Sequence, residues 1–239
     1  MTKITSAENA TFKVLKSLID KKGRRESGLF FVEGEKVVWE DLDKVTRIFL
    51  REGKRVFFPE GAYEVYELSE KLFNQVSALE NSSGVLGVFP IPAQGGKEVG
   101  KNRVLVLDRI QDPGNMGTLL RTAAAFGFMD VITLDCVDVY GPKVLRAVSG
   151  QIFKLNVMDM SFDEFKTWAV GAEFLCALVL GNEGRGVRSE MYTLDHEVVS
   201  VPMQNDVESL NVAVAGGILM FEIAGGRMGA RGKMLITGV

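Results

Sequence analysis

The chain has 239 residues and a formal net charge of −3, with 46% hydrophobic and 25% charged residues, a balance that suits one large or two small globular domains. Two cysteines, each inside an apolar run, and a single histidine, His196, exclude a Cys/His zinc site, and no apolar run approaches the ~18–20 residues of a membrane span. The charge is unevenly spread: residues 1–58 hold 13 Lys/Arg against 9 Asp/Glu, residues 59–100 hold 2 against 6, and residues 101–239 hold 13 against 16, so the basic excess that would meet a polyanion lies near the start.

The start of the chain is rich in Lys, Thr and Ser and lacks the apolar stretch of a secretory signal. Together with the reduced cysteines this predicts a cytoplasmic protein, or one of a chloroplast or mitochondrial matrix. Apolar residues at 12, 14, 15, 18 and 19 predict a helix over 10–22, broken by GRRESG at 23–28. A strand follows at 29–34, a helix at 35–42 and short strands at 47–50 and 55–58. Residues 63–79 read as helical in their second half, and 84–89 as a strand. The run PIPAQGGKEVGKN at 90–102 has two prolines, three glycines and no periodicity. It predicts a first domain at 1–92, a linker at 93–102 and a second domain at 103–239.

The second domain alternates. Strands are expected at 103–110, 130–135, 176–181 and 196–203, and helices at 115–127, 140–153, 162–174 and 209–226. Apolar strands separated by helices mean a parallel sheet covered on both faces, whose ligands sit at the carboxyl ends of the strands. Three unusual loops fall there. GNEGRG at 181–186 has the wrong glycine order for a P-loop or a dinucleotide fold, and Glu183 would repel a phosphate; a carboxylate suits a ligand bearing hydroxyls or positive charge. In DPGNMGTLLR at 112–121, Asn115 stands at or near a helix cap and Arg121 is rotated away from it. In VPMQNDVESLNVAVAGG at 201–217, Ser209 and Asn211 stand at the mouth of an apolar helix, with Ser209 the expected cap. Small residues at 213 and 215–217 suit close packing, including a subunit contact.

These motifs, in this order, resemble the SpoU-type branch of the SPOUT RNA methyltransferases: Asn115, Gly117 and Arg121; Gly181 to Gly186; and VPMQNDVESLNVAVA with Ser209 and Asn211. The stretch 141–155 resembles the segment between the first two motifs. KKGRRESGLFFVEGEKVV at 21–38 resembles the family's ribosomal-protein-like RNA-binding domain. The resemblance implies an α/β fold in which that small domain precedes a parallel sheet with a C-terminal trefoil knot. It also implies a homodimer, S-adenosylmethionine as cofactor, and methyl transfer to a ribose 2′-hydroxyl of RNA, rRNA ahead of tRNA. The cofactor would meet Gly181, Val201 and Leu210. Arg121 would stand on the base side of the 2′-hydroxyl; since a guanidinium is a poor base, it would act with a neighbouring RNA phosphate or position that phosphate. Asn115, Glu183, Ser209 and Asn211 would align ribose and arginine, and Lys21, Lys22, Arg24 and Arg25 would grip RNA. No metal and no membrane are implied.

Two departures stand out. Residues 156–176 are shorter than in the family, as if one sheet strand were missing, which opens the alternative of a catalytically impaired RNA-binding or ribosome-assembly protein. The segment 225–239, GGRMGARGKMLITGV, is read as an unordered tail.

Overall fold

The computed structural model describes residues 1–77, 79, 82–93, 103–205, 208–228 and 232–237. The first elements in chain order are β1 (Thr2–Ile4), α1 (Ala10–Ser17), α2 (Lys21–Ser27), β2 (Leu29–Glu33), α3 (Glu35–Glu40), β3 (Arg47–Arg51), β4 (Glu64–Leu68), α4 (Glu70–Phe73) and β5 (Val85–Pro90). They are followed by β6 (Arg103–Asp108), α5 (Pro113–Phe126), β7 (Asp130–Leu134), α6 (Pro142–Val148), β8 (Asn156–Met160) and α7 (Phe162–Gly171). The last are β9 (Cys176–Leu180), β10 (Glu197–Val199), α8 (Val212–Ala224) and β11 (Lys233–Thr237).

The chain packs as two compact units. Met1–Pro92 joins Tyr140–Gly150 in the first, and Ala93–Val139 joins Gln151–Val239 in the second. The segment around α6 therefore groups with the first unit although it follows the expected boundary. Its apolar stripe, Val144, Leu145 and Val148, is buried, and the ring of Tyr140 lies 4.9 Å from that of Phe30 on β2. Of the linker expected at 93–102, residues 94–102 lie outside the described residues.

The first sheet runs β1-β4-β3-β5-β2. β3 pairs parallel to β4 and antiparallel to β5. Phe12, Leu15 and Leu18 pack on its core beside Phe49, Leu72 and Phe73. The helix expected over 10–22 ends at Ser17, and the break falls at 18–20 and not at 23–28, which form most of α2 and its Gly28 cap. Gly23 serves close approach instead, since a Cβ there would stand 2.1 Å from the Ser17 carbonyl oxygen. Residues 64–68 are a strand because Val65, Tyr66 and Leu68 pair between β1 and β3. The expected strand at 55–58 does not form: Phe57 is exposed, and Phe58 packs tilted against Trp39 and edge-on to Tyr63.

The second sheet is wholly parallel, in the order β10-β11-β9-β6-β7-β8. α7 helps cover one face, where Phe165 packs with Val104, Val106, Ile132 and Val179. Two expectations are corrected here. The segment 156–176 does not skip a strand, because β8 pairs along β7 and α7 follows with a Ser161/Glu164 capping box. Within the segment 225–239, expected to be an unordered tail, Lys233–Thr237 forms β11 between β9 and β10, while residues 229–231 and 238–239 lie outside the described residues. The strand carrying the GNEGRG loop is thus paired on both sides, by β6 and β11. No helix among the described residues is long and apolar enough to cross a membrane.

Candidate active site

The glycine-rich loop at the end of β9 closes on itself. Asn182 and Gly186 exchange two backbone hydrogen bonds, of 3.1 and 2.8 Å. The Asn182 side-chain oxygen accepts from the backbone amides of Gly184 and Arg185. A Cβ on Gly181 would sit 2.3 Å from the Gly186 and Val187 backbone. The loop's own returning chain therefore demands that glycine, which lets the loop turn tightly enough to project Glu183.

The helices fix the rest. α5 begins at Pro113 and its cap is Asp112, whose carboxylate accepts the amide of Asn115. Asn115 is thus inside the first turn and its side chain is free of cap duty. At α8 the cap is Asn211, not Ser209: its side-chain oxygen accepts from Ala213 and Val214. That commitment orients the whole network. With its oxygen used by the helix, Asn211 presents Nδ2, which donates to Asn115 Oδ1 at 2.9 Å. Asn115 must then turn Nδ2 outward, and it donates to Glu183 Oε1 at 2.6 Å. Three residues from three separate loops form one directed chain that ends on an exposed carboxylate, near the starts of two helices where negative charge is favoured.

Arg121 and Ser209 are not joined to this chain. Both are exposed, and among the described residues neither side chain makes a hydrogen bond or ion pair. Of the expected cofactor residues, Val201 and Leu210 line a shallow cleft, open to solvent, with Val199, Ser200, Met203, Leu219 and Thr237. Gly181 lies outside it, at the root of the neighbouring loop. Among the described residues no charged side chain lines the cleft, so its walls fit a nucleoside better than an amino-acid or phosphate group.

A second polar cluster was not anticipated. Asp108, at the end of β6 and 0% exposed, accepts from the backbone amide and Nε of Arg188, both at 2.7 Å. Arg188 Nη2 also reaches Asp135 at 2.9 Å, and its guanidinium lies 4.9 Å from the ring centre of Phe162. Burial works against the Arg188 charge, but the bonds and charges of Asp108 and Asp135 outweigh it and raise its pKa. The cluster ties the exit of the glycine loop to the ends of β6 and β7. The thiols offer no nucleophile: burial pushes Cys136 up to about 12 and Cys176 up to about 11, so both stay protonated at neutral pH. Among the described residues no cluster could hold a metal.

In the first unit the expected basic quartet splits. Lys21, Lys22 and Arg25 are exposed. Arg24 is 4% exposed, and its Nη1 donates to the carbonyls of Leu18 and Ile19 at 2.6 and 2.8 Å. It holds the end of α1 and cannot grip RNA.

A parallel sheet with an apolar cleft and a hydroxyl-compatible polar chain at its carboxyl ends defines an α/β enzyme acting on nucleotide-like ligands. Comparison with known proteins narrows this. The SpoU rRNA Methylase family matches residues 102–174 and 164–221, and an MRM3-like substrate binding domain matches residues 9–87. The chain is 33% identical over 250 residues to the 23S rRNA (guanosine(2553)-2′-O)-methyltransferase RlmP of Bacillus subtilis, covering 94% of this chain and 100% of that protein. It is 25% identical over 305 residues to the mitochondrial rRNA methyltransferase 3 of Xenopus laevis, covering 88% and 72%. An AdoMet-bound rRNA methyltransferase from Sinorhizobium meliloti superposes with a TM-score of 0.79 at 25% identity, covering 95% and 98%. The chain belongs to the SpoU rRNA methylase family, and with it to the S-adenosylmethionine-dependent RNA 2′-O-methyltransferases of the SPOUT class.

Proposed function

We propose that the enzyme methylates a ribose 2′-hydroxyl of ribosomal RNA, in the cytoplasm or an organelle matrix. The observation that carries this reading is the directed chain Asn211–Asn115–Glu183, which presents a carboxylate acceptor suited to a ribose hydroxyl. When bound, S-adenosylmethionine supplies an electrophilic methyl group. Val201 and Leu210 would hold its nucleoside, with Gly181 shaping the adjoining loop. Glu183, held by Asn115, accepts a hydrogen bond from the ribose and fixes the direction of the attacking oxygen, the alignment such a reaction needs most. Arg121, exposed and without a side-chain partner among the described residues, engages the phosphate beside that ribose, and Ser209 contacts the same RNA strand. Lys21, Lys22 and Arg25 add phosphate contacts from the first unit.

The reading includes a homodimer and the trefoil knot of the family. Support for the homodimer comes from α8, which is apolar apart from Glu222: Val214, Ile218 and Phe221 leave an exposed stripe bordering Asn115 and Asn211. The scaffold alternative loses its basis, since β8 is present and β9 is paired on both sides. Mapping 2′-O-methyl groups in total RNA with and without the enzyme tests the reading. One rRNA ribose is expected to lose its methyl group; an unchanged rRNA map alongside a changed tRNA one would overturn the target.

A further inference from the structure

Thr237 ends β11 level with Val199 on β10. Its side chain is 1% exposed, and among the described residues its hydroxyl has no hydrogen-bond partner. It forms part of the wall of the cleft that Val201 and Leu210 also line. A buried hydroxyl without a partner is unfavourable, and valine would fill the same space without that cost. An otherwise apolar lining that carries the hydroxyls of Thr237 and Ser200, with no charged side chain among the described residues, matches a flat heterocycle with a polar edge. It does not match the ammonium and carboxylate of an amino acid. We propose that Thr237 is a cofactor-binding residue whose hydroxyl hydrogen-bonds the purine base of S-adenosylmethionine. The segment after α8, read from sequence as a tail, thereby supplies part of the methyl-donor site from a strand inserted between the two that carry the GNEGRG and VPMQNDVESLN loops.

The proposal rests on the assignment of S-adenosylmethionine as methyl donor. Calorimetric titration of the full chain with S-adenosylhomocysteine and with 5′-methylthioadenosine, which keeps the base and lacks the amino acid, tests it. Thr237→Val is expected to weaken both ligands by the same factor, about 3–10-fold. It is also expected to raise the melting temperature of the ligand-free protein, by roughly 2–4 °C, because the buried hydroxyl is gone. Thr237→Ser should bind within about twofold of the wild type. Wild-type affinity in Thr237→Val would overturn the proposal, as would a loss confined to S-adenosylhomocysteine, an equal loss in Thr237→Ser, or a lowered melting temperature in Thr237→Val. A wild type that binds neither ligand would instead remove the cofactor assignment beneath it.

Discussion

Two polar clusters sit at the carboxyl ends of the same sheet and are organised in opposite ways. Asp108, Arg188 and Asp135 form a compact ionic knot around a carboxylate with no exposed surface. Asn211, Asn115 and Glu183 form an open chain of two amides and a carboxylate, the last facing solvent. The first spends its charges on one another and fixes a loop; the second uses neutral groups to aim a charge outward. The same division separates two adjacent arginines of α2, Arg24 turned in and Arg25 turned out. Sequence proximity to a motif is therefore a poor guide to which charged residue acts on a ligand; the number of protein partners is a better one.

The contrast can be broken by mutation. Asp108→Ala leaves the Arg188 guanidinium with only the exposed Asp135 and is expected to cost about 3–5 kcal/mol of stability. A fall of about 10 °C or more in melting temperature would show it. Pairing Asp108→Leu with Arg188→Met should return much of that loss, since a buried ion pair is often replaceable by packed apolar groups. Arg121→Ala should do the reverse, cutting turnover about 100–1000-fold with melting and S-adenosylhomocysteine affinity near wild type. Loss of cofactor binding would move Arg121 away from the RNA side.

In the first unit, Arg24→Ala should cost about 1–3 kcal/mol by orphaning two carbonyls. Replacing Lys21, Lys22 and Arg25 together by alanine should leave melting alone and weaken RNA binding. For three lost contacts to single-stranded RNA, the plot of log affinity against log salt should flatten by about 2. The mildest case is Asn211→Ala, which belongs to both kinds of cluster. Loss of its cap should cost about 1 kcal/mol, and turnover should fall as Asn115 loses its orientation. Melting and rate that respond equally in Arg121→Ala and Asp108→Ala would erase the distinction.

Much of this was legible in the chain. The alternation of apolar strands and helices after residue 102 marked a parallel sheet, and the three loops at its carboxyl ends held the residues that form the polar chain. What stayed hidden depended on distant pairing. β8, Asn-Val-Met-Asp-Met, has no apolar alternation because it is an edge strand that meets β7 partly through Asn156 and Asp159. β11 follows a Gly/Arg-rich run and gains its place only from partners about 40 and 60 residues upstream. The caps lie a few residues from the expected ones: Asn115 and Ser209 have cap chemistry, yet the chain turns at Asp112 and Asn211. Arg24 was indistinguishable from Arg25 without the fold, since one helical position decides which faces the core.

The position of β11 also bears on how the protein is made. β9 and β10 emerge well before the strand that lies between them. At synthesis rates of about 5–20 residues per second, β9 waits several seconds with one edge open. During that interval the nascent chain exposes an apolar strand edge, Ala177 to Leu180, of the kind that recruits unrelated strands. The second unit can complete its sheet only after residue 237 is free, and the window before that event is when a chaperone would matter to it most.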